Sequence, residues 1–201
     1  MRSSVPREIR RGRRAGLRNA LLVSLLALLP GAVAMDRSPS AGIETLWSPN
    51  VDERPAPVIT AVVIHATVIP TLDGVVRRFL DPNTRVSAHY VIDKTGRIVQ
   101  MAPIEKRAWH AGRSALDGEP HVNDFSVGIE LVNRNDGIDP YPQAQLEAAA
   151  AVIRRLRERH AIPDCRIVSH AEVALPAGRK NDPLGLDLDR LRGLCGGDRV
   201  R

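Results

Sequence analysis

Residues 60–66, with the sequence TAVVIHA, constrain the fold of this 201-residue chain more than any other segment. The segment is apolar and rich in β-branched residues without alternation, which is typical of a strand covered on both faces of a sheet. Such a strand requires further strands beside it and helices on both sides. It also places a polar ring, that of His65, at the end of a buried strand.

Other segments have the spacing expected of strands and helices. The predicted strands are residues 87–93, 97–101, 126–132 and 165–169, and the predicted helices are residues 72–80, 142–160 and 187–194. The tight turn Lys94-Thr95-Gly96 joins the first two of these strands into a hairpin. Strands and helices mix without strict βαβ alternation, so we expect an α/β (α+β) fold with a mixed central β-sheet flanked by helices.

The first 34 residues have the composition of an export signal. Seven Arg precede an apolar run of about ten residues, and Ala32-Val33-Ala34 fits a small-x-small cleavage site. The run is shorter than the roughly twenty residues that span a bilayer. We therefore predict a signal peptide at residues 1–34 and a periplasmic or secreted protein, with an uncleaved membrane anchor as the alternative. Membrane contact is then expected only during export.

Removal of this leader changes the interpretation of the charge. The whole chain has a net charge of +6, but residues 35–201 contain 22 basic and 22 acidic residues. No excess of basic residues remains that would indicate nucleic-acid binding. Residues 35–57, rich in Pro, Ser, Asp and Glu, are predicted to be an extended lead-in, wrapped on the domain or partly disordered, with the domain itself at residues 58–201.

Two cysteines, Cys165 and Cys195, remain after the leader. An exported protein meets an oxidising compartment, so these two could form a disulfide. The alternative is a pair of buried free thiols, because Cys165 falls in an apolar predicted strand. Their sequence separation does not decide between the two.

Three residues could form a metal site. His65 and His170 each stand at the end of a predicted strand, and Asp182 follows twelve residues after His170. Two imidazoles and a carboxylate leave zinc an open fourth position, which hydrolysis of a substrate requires. The alternative is that both histidines are structural, since the short zinc motifs HExxH and CxxC are absent from the sequence.

Glu130 and Lys180 are candidates for the catalytic chemistry. An acid within the apolar run of residues 127–132 is costly unless it is paired or functional, and burial would suit Glu130 to general-base work. Simple alternation would instead point Glu130 to solvent. Lys180, two residues before Asp182, could stabilise the oxyanion formed when an amide is attacked, or could be a solvated loop lysine.

Several runs in order give the chain a family resemblance. They are RVSAHYVID at 85–93, GRIVQ at 96–100, KRAWHAG at 106–112, NDFSVGIE at 123–130, HAE at 170–172 and RKNDP at 179–183. Over about residues 58–192 the chain resembles the type 2 N-acetylmuramoyl-L-alanine amidases, the AmpD/AmiD-like enzymes related to peptidoglycan recognition proteins.

The resemblance implies roles for particular residues. It implies a zinc groove on one side of the sheet, with ligands His65, His170 and Asp182, a catalytic acid at Glu130 and an assisting lysine at Lys180. The substrate contacts that it suggests are Arg85, Trp109, His110 and Asn123. Trp109 could also be a core aromatic residue, and Arg85 could be a plain surface charge.

The function that the resemblance implies is zinc-dependent hydrolysis of the amide bond between N-acetylmuramic acid, or its anhydro form, and L-alanine of the stem peptide. The expected partners are peptidoglycan or muropeptides, with no nucleic acid, and the expected state is a monomer. The alternative is a non-catalytic peptidoglycan-binding module of the same fold. Retention of all three ligands, the acid and the lysine favours the enzyme.

Overall fold

The computed structural model describes residues 42–196, and all of them lie in one compact unit. The predicted signal peptide at residues 1–34 lies outside these residues. The strands are β1 (Glu44–Thr45), β2 (Val51–Glu53), β3 (Ala61–Ala66), β4 (Tyr90–Ile92), β5 (Ile98–Gln100), β6 (Lys106–Ala108), β7 (Ala115–Leu116), β8 (Glu119–Pro120), β9 (Ser126–Leu131) and β10 (Ile167–Ser169). The α-helices are α1 (Leu72–Leu80), α2 (Gln143–Arg157), α3 (His170–Val173) and α4 (Leu188–Leu194).

Six of these strands form the central sheet, in the order β1-β5-β4-β9-β3-β10. β4 and β5 pair antiparallel, as the predicted hairpin requires, and the other neighbours pair parallel. All six residues of β3 are buried, which confirms the prediction from its unbroken apolar sequence. The predicted mixed sheet with flanking helices is therefore confirmed.

Helices cover both faces of this sheet. Val62 and Ile64 of β3 pack in one apolar cluster with residues of α2 and α4, including Ile153. On the other face, residues of α1 pack against Val91 of β4. Alternate residues of a strand point to opposite faces, so His65 lies on the face opposite α2, the same face as Val63.

Side chains define the ends of the helices. The Thr71 hydroxyl accepts a hydrogen bond from the Gly74 amide at the start of α1, and Asp187 caps α4 in the same way. α2 ends at Arg157 rather than at the predicted residue 160. The Arg157 guanidinium donates to the carbonyl of Ile162 and pairs with Asp164, so the chain turns back there instead of continuing the helix.

Residues 42–57 of the predicted lead-in pair with strands of the domain predicted at residues 58–201. β1 adds to the sheet beside β5, and β2 pairs with β6. Buried Asn50 donates through Nδ2 to the carbonyls of Phe79, Asp81 and Val86, at 3.2, 3.0 and 3.1 Å. These hydrogen bonds join the N-terminal segment to the end of α1 and the loop after it.

Arg54 ties the same segment to the loops near β9. Its guanidinium donates to the carbonyls of Ile104, Asn123, Asp124 and Ser126 at distances of 2.8 to 3.0 Å. Burial lowers the pKa of Arg54 to about 10. Of the two options for the lead-in, wrapping on the domain is therefore the one found for residues 42–57.

The two cysteines are free thiols in the structure, with Cys165 exposed and Cys195 buried. The disulfide is therefore absent from the described residues, and the expectation of two buried thiols is wrong for Cys165. The predicted strand at 165–169 begins only at Ile167, because Asp164–Arg166 form a 3₁₀ turn that turns Cys165 outward. Within residues 42–196, no helix has the length and hydropathy needed to cross a membrane.

Candidate metal centre and active site

The site is built at the carboxyl ends of adjacent parallel strands. His65 on β3 is the register partner of Glu130 on β9, so the two side chains leave the sheet on the same face. β10 lies on the other side of β3 and is followed directly by His170, the first residue of α3. Asp182 comes from the loop before α4, and its backbone carbonyl accepts from the Ala171 amide at 2.9 Å.

His65, His170 and Asp182 converge as predicted. One ligand atom from each residue lies within 4.8 Å of the others, and all three residues are buried. The Asp182 Oδ2 atom lies 3.0 Å from His170 Nδ1 and 3.5 Å from His65 Nδ1. Ligand atoms of a tetrahedral zinc site with bonds of 2.0–2.1 Å are about 3.3 Å apart. The three side chains therefore fit a zinc ion.

The protonation states of these residues also suit a metal site. Burial lowers the pKa of His65 to about 4, which keeps the ring neutral with a free lone pair near neutral pH. Burial acts to raise the pKa of Asp182, but its contacts with His170 and His65 outweigh this and hold the pKa below the ordinary value. His65 thus offers a neutral imidazole and Asp182 an ionised carboxylate, the forms in which these residues bind metals.

Glu130 stands beside the ligands with an unused oxygen. Its Oε2 atom is buried and has no hydrogen-bond partner among the described residues. Burial and, to a smaller extent, the charge of Asp182 raise the pKa of Glu130 to about 8, while Lys180 acts in the opposite direction. Glu130 therefore points into the site. The alternative, in which simple alternation points its side chain to solvent, is not the one found.

A cavity of about 380 Å³ opens over this group. Its wall includes the three ligands, Glu130 and the predicted residues Trp109, His110 and Lys180. The residues 67–69, at the end of β3, and the exposed Arg78 of α1 form its outer part. A larger depression of about 510 Å³, lined by Trp47 and residues of α2, lies on the opposite face of the sheet and contains none of the ligands.

The four predicted substrate contacts differ in their positions. Trp109 is half-buried at the cavity wall, and the guanidinium of exposed Arg85 lies 5.7 Å from the centre of its ring, outside the wall itself. His110 is buried, with Nδ1 3.1 Å from His65 Nε2. Asn123 does not line the cavity, and its Oδ1 atom accepts from the Ala111 amide, next to His110, at 2.8 Å.

Two residues near the site were missed by sequence reasoning. Asp52 of β2 accepts from Trp109 Nε1 at 2.7 Å and from Arg107 at 2.6 Å, and so orients the indole. Arg78 places a cation at the rim of the cavity. The apolar spacing of α1 could have placed Arg78 on its polar face, whereas no pattern in the lead-in indicated the role of Asp52.

The fold and the site together define an α/β protein in which two buried histidines and one aspartate have the arrangement to hold a metal ion. Comparison with known proteins then identifies the family, because the family model described as N-acetylmuramoyl-L-alanine amidase matches residues 54–185. The chain belongs to the N-acetylmuramoyl-L-alanine amidase family. The family and the class of enzyme predicted from the sequence are confirmed.

Individual relatives agree with this assignment. The 1,6-anhydro-N-acetylmuramyl-L-alanine amidase AmpD of Escherichia coli K12 is 35% identical over 162 residues, which cover 71% of this chain and 85% of the relative. The N-acetylmuramoyl-L-alanine amidase AmiD of the same strain is 34% identical over 63% of this chain and 49% of the relative. This chain thus matches about half the length of AmiD.

Solved structures show the same fold. A crystal structure of a selenomethionine AmpD derivative has a TM-score of 0.66 and 35% identity, and covers 77% of this chain and 94% of its own. AmiD from E. coli, in complex with the substrate anhydro-N-acetylmuramic acid-L-Ala-D-gamma-Glu-L-Lys, has a TM-score of 0.61 and 28% identity, and covers 72% of this chain and 65% of its own.

Proposed function

We propose that this protein is a zinc-dependent enzyme that hydrolyses the amide bond between N-acetylmuramic acid, or its anhydro form, and L-alanine of the stem peptide. The observation that carries this proposal is the buried Glu130 Oε2 atom, without a hydrogen-bond partner, in one cavity with the three converging candidate ligands. The substrate class is supported by the relatives, of which AmpD is named for the anhydro sugar and AmiD binds an anhydromuramyl tripeptide. Anhydromuropeptides are therefore the first substrates to test.

His65, His170 and Asp182 would hold the zinc ion. When bound, zinc supplies Lewis-acid activation of a water molecule and of the amide carbonyl. The nearby positive charge also favours the ionised form of Glu130, whose pKa is otherwise raised. The carboxylate can then act as a base near neutral pH.

Glu130 handles the proton in the reaction. It takes a proton from the attacking water as the water oxygen bonds to the carbonyl carbon. It then delivers this proton to the alanine nitrogen as the carbon–nitrogen bond breaks. The products are the lactyl carboxylic acid of the sugar and a peptide with a free L-alanine amine.

Lys180 and the wall of the cavity assist the same step. The exposed Lys180 side chain lines the cavity and acts electrostatically on Glu130, which supports a role for its cation in opposing negative charge on the carbonyl oxygen. Trp109 offers an aromatic face to a sugar or peptide. Arg78 and Lys180 place positive charge where the carboxylates of a stem peptide would lie.

The alternative function is peptidoglycan binding without cleavage. It requires the metal ligands or the acid to be lost or turned away, and the arrangement of all five residues at one cavity argues against it. We further propose a monomeric protein that is exported to the periplasm or secreted and binds no nucleic acid. The support for export is the composition of residues 1–34, and the support for the last point is the balanced charge of residues 35–201.

A product assay tests the proposed function. The purified protein is incubated with anhydromuropeptides and with purified sacculi, with and without a chelator, and the products are identified by mass. We expect release of peptides beginning with L-alanine, abolished by the chelator and restored by zinc. Binding to sacculi without any release would support the binding module instead, and release that is insensitive to the chelator would contradict the metal mechanism.

A further inference from the structure

Both histidine ligands use Nε2 for contacts away from Asp182 and present Nδ1 to it. His170 Nε2 lies 3.2 Å from the carbonyl oxygen of Ala111. A carbonyl only accepts hydrogen bonds, so Nε2 carries a proton and Nδ1, which faces Asp182, is the nitrogen left for a metal. His65 reaches no carbonyl in this way. Its Nε2 atom lies 3.1 Å from Nδ1 of His110, a group that can accept or donate.

Which ring nitrogen of His65 carries the proton therefore depends on a chain of hydrogen bonds that continues beyond His110. The Ser126 hydroxyl lies 2.6 Å from the carbonyl oxygen of Val122 and 3.3 Å from His110 Nε2. Its single proton must go to the carbonyl, so its oxygen accepts from His110 Nε2. A neutral His110 then accepts at Nδ1 from Nε2 of His65, and His65 is left with a free lone pair on Nδ1.

The absence of a side chain at Gly128 leaves room for the His110 ring. A Cβ atom at position 128 would lie 2.4 Å from Cγ of His110, far inside contact distance. Gly128 has no positive φ angle in the structure, so backbone conformation does not require a glycine here. The close approach of the ring to the middle of β9 does require one.

The resulting arrangement presents two ring nitrogens to one carboxylate oxygen. The lone pair on His65 Nδ1 faces the Asp182 carboxylate oxygen at 3.5 Å, and His170 Nδ1 faces the same oxygen at 3.0 Å. The lone pair on His65 Nδ1 repels this carboxylate unless a cation lies between them. The chain of hydrogen bonds thus prepares the site for a metal before the metal arrives.

We propose that His110 and Ser126 are positioning residues that hold His65 in its Nε2-protonated tautomer, so that Nδ1 is free to bind the metal. This role deepens the metal part of the proposed function and rests on it. It also gives His110 a task other than the substrate contact predicted from the sequence. Outer residues of this kind change metal affinity by about 10–100-fold when they are replaced.

The first measurement uses the metal-free protein without substrate. Nitrogen-15 NMR of the histidine side chains reports which ring nitrogen carries the proton. The His65 signals are assigned from variants in which one histidine at a time is replaced. We expect His65 to be protonated at Nε2 in the wild-type protein. A wild-type His65 protonated at Nδ1 would overturn the proposal, whatever the variants show.

The second measurement is the zinc dissociation constant, obtained by competition with a chromophoric chelator. His110→Leu should weaken zinc binding by about 10–100-fold and remove the tautomer preference of His65. His110→Asn, which can place an acceptor oxygen near the position of Nδ1, should recover most of the affinity. Equal zinc affinity in wild type and His110→Leu would contradict the positioning role.

A matched pair of serine variants covers the case in which His110→Leu does not fold. Ser126→Ala removes the acceptor of His110 Nε2 and should weaken zinc binding. Ser114→Ala is the control, since Ser114 is also buried and bonds to the Val122 amide but lies outside the chain to His65. If the two variants bind zinc equally, the proposal fails. A wild-type protein that binds no zinc would instead count against the proposed function.

Discussion

His65 and Glu130 are register partners on the adjacent parallel strands β3 and β9. The metal ligand and the acid therefore rise side by side from one face of the sheet, on two of its most buried strands. Their separation is set by the spacing of the strands and not by a loop. Because neither residue depends on the other for its backbone position, the acid can be changed without loss of the metal ligands.

Glu130→Gln tests whether the acid can be changed without loss of the metal ligands. The amide keeps the size of the side chain but cannot accept and return a proton, so we expect kcat to fall by about 10²–10⁴-fold. The zinc content measured by atomic absorption should stay at one ion per chain. Activity close to that of the wild type, or loss of zinc in the variant, would contradict the role assigned to Glu130.

Removal of zinc should destabilise the protein. The ligands come from β3, the start of α3 and the loop before α4, so the metal site exists only in the folded chain. At a free zinc concentration 100 times the dissociation constant, binding adds about 2.7 kcal/mol. For a domain of this size we expect a chelator to lower Tm by roughly 5–10 °C. Asp182→Ala should show no zinc-dependent change in Tm, and a zinc-dependent change in that variant would count against this site.

Asp52→Ala should affect substrate binding more than chemistry. The carboxylate of Asp52 holds the indole of Trp109 at the cavity wall, and its loss lets the ring turn. We expect KM for an anhydromuropeptide to rise several-fold while kcat changes little. Glu53→Ala is the control, because Glu53 is the next residue of β2 but pairs with Lys106. Equal KM values in the two variants would argue against a substrate role for Trp109.

Asn50→Ala should destabilise the fold. It removes one donor from three carbonyl groups. Phe79 still accepts from the Ser48 hydroxyl and Asp81 from Thr84, but Val86 loses its donor, and a buried group left without a partner costs about 1–3 kcal/mol. Urea unfolding measures this loss. Asn83→Ala, at an exposed position whose side chain bonds only to Asp81, should change the free energy of unfolding by less than about 0.5 kcal/mol. Equal effects would show that the N-terminal segment adds little stability.

Buried His89 should make the fold sensitive to acid. Its Nδ1 accepts from the Gly128 amide, and burial, with the charge of Arg54, lowers its pKa to about 3. The unfolded chain binds a proton here near pH 6.5, so stability falls as pH drops from about 6.5 towards 3, by up to about 1.4 kcal/mol per pH unit. In chelator, His89→Gln should reduce this slope relative to wild type, with His160→Gln as the control. An unchanged slope in His89→Gln would contradict the prediction.

The sequence predicted those parts of the fold that depend on local pattern. The strand at 60–66, the hairpin turn at 94–96 and the three longer helices follow from periodicity and turn residues, and all are present. The short helix α3 was missed, although Ser169 and Glu172 form a capping box that is visible in the sequence. Residues 42–57 were read as an extension because their pairing depends on distant strands, which composition does not reveal.

The site was predictable only in part for the same reason. Strand ends indicated His65 and His170, but alternation left the direction of Glu130 open until the register of β3 and β9 was known. The family resemblance supplied the roles of Asp182 and Lys180. It suggested substrate contacts for His110 and Asn123, whereas the structure shows contacts with His65 and with the Ala111 amide. Substrate binding by these two residues stays a prediction.

The N-terminal strand β1 also has a consequence for behaviour at high concentration. It covers the side of β5 and leaves an outer strand of only two residues, while the opposite edge of the sheet, β10, has three. Long unpaired edges are the templates on which strands of neighbouring molecules add and aggregates grow. In the described part of the chain both edges are too short for that, and β1 makes its own edge the shorter of the two.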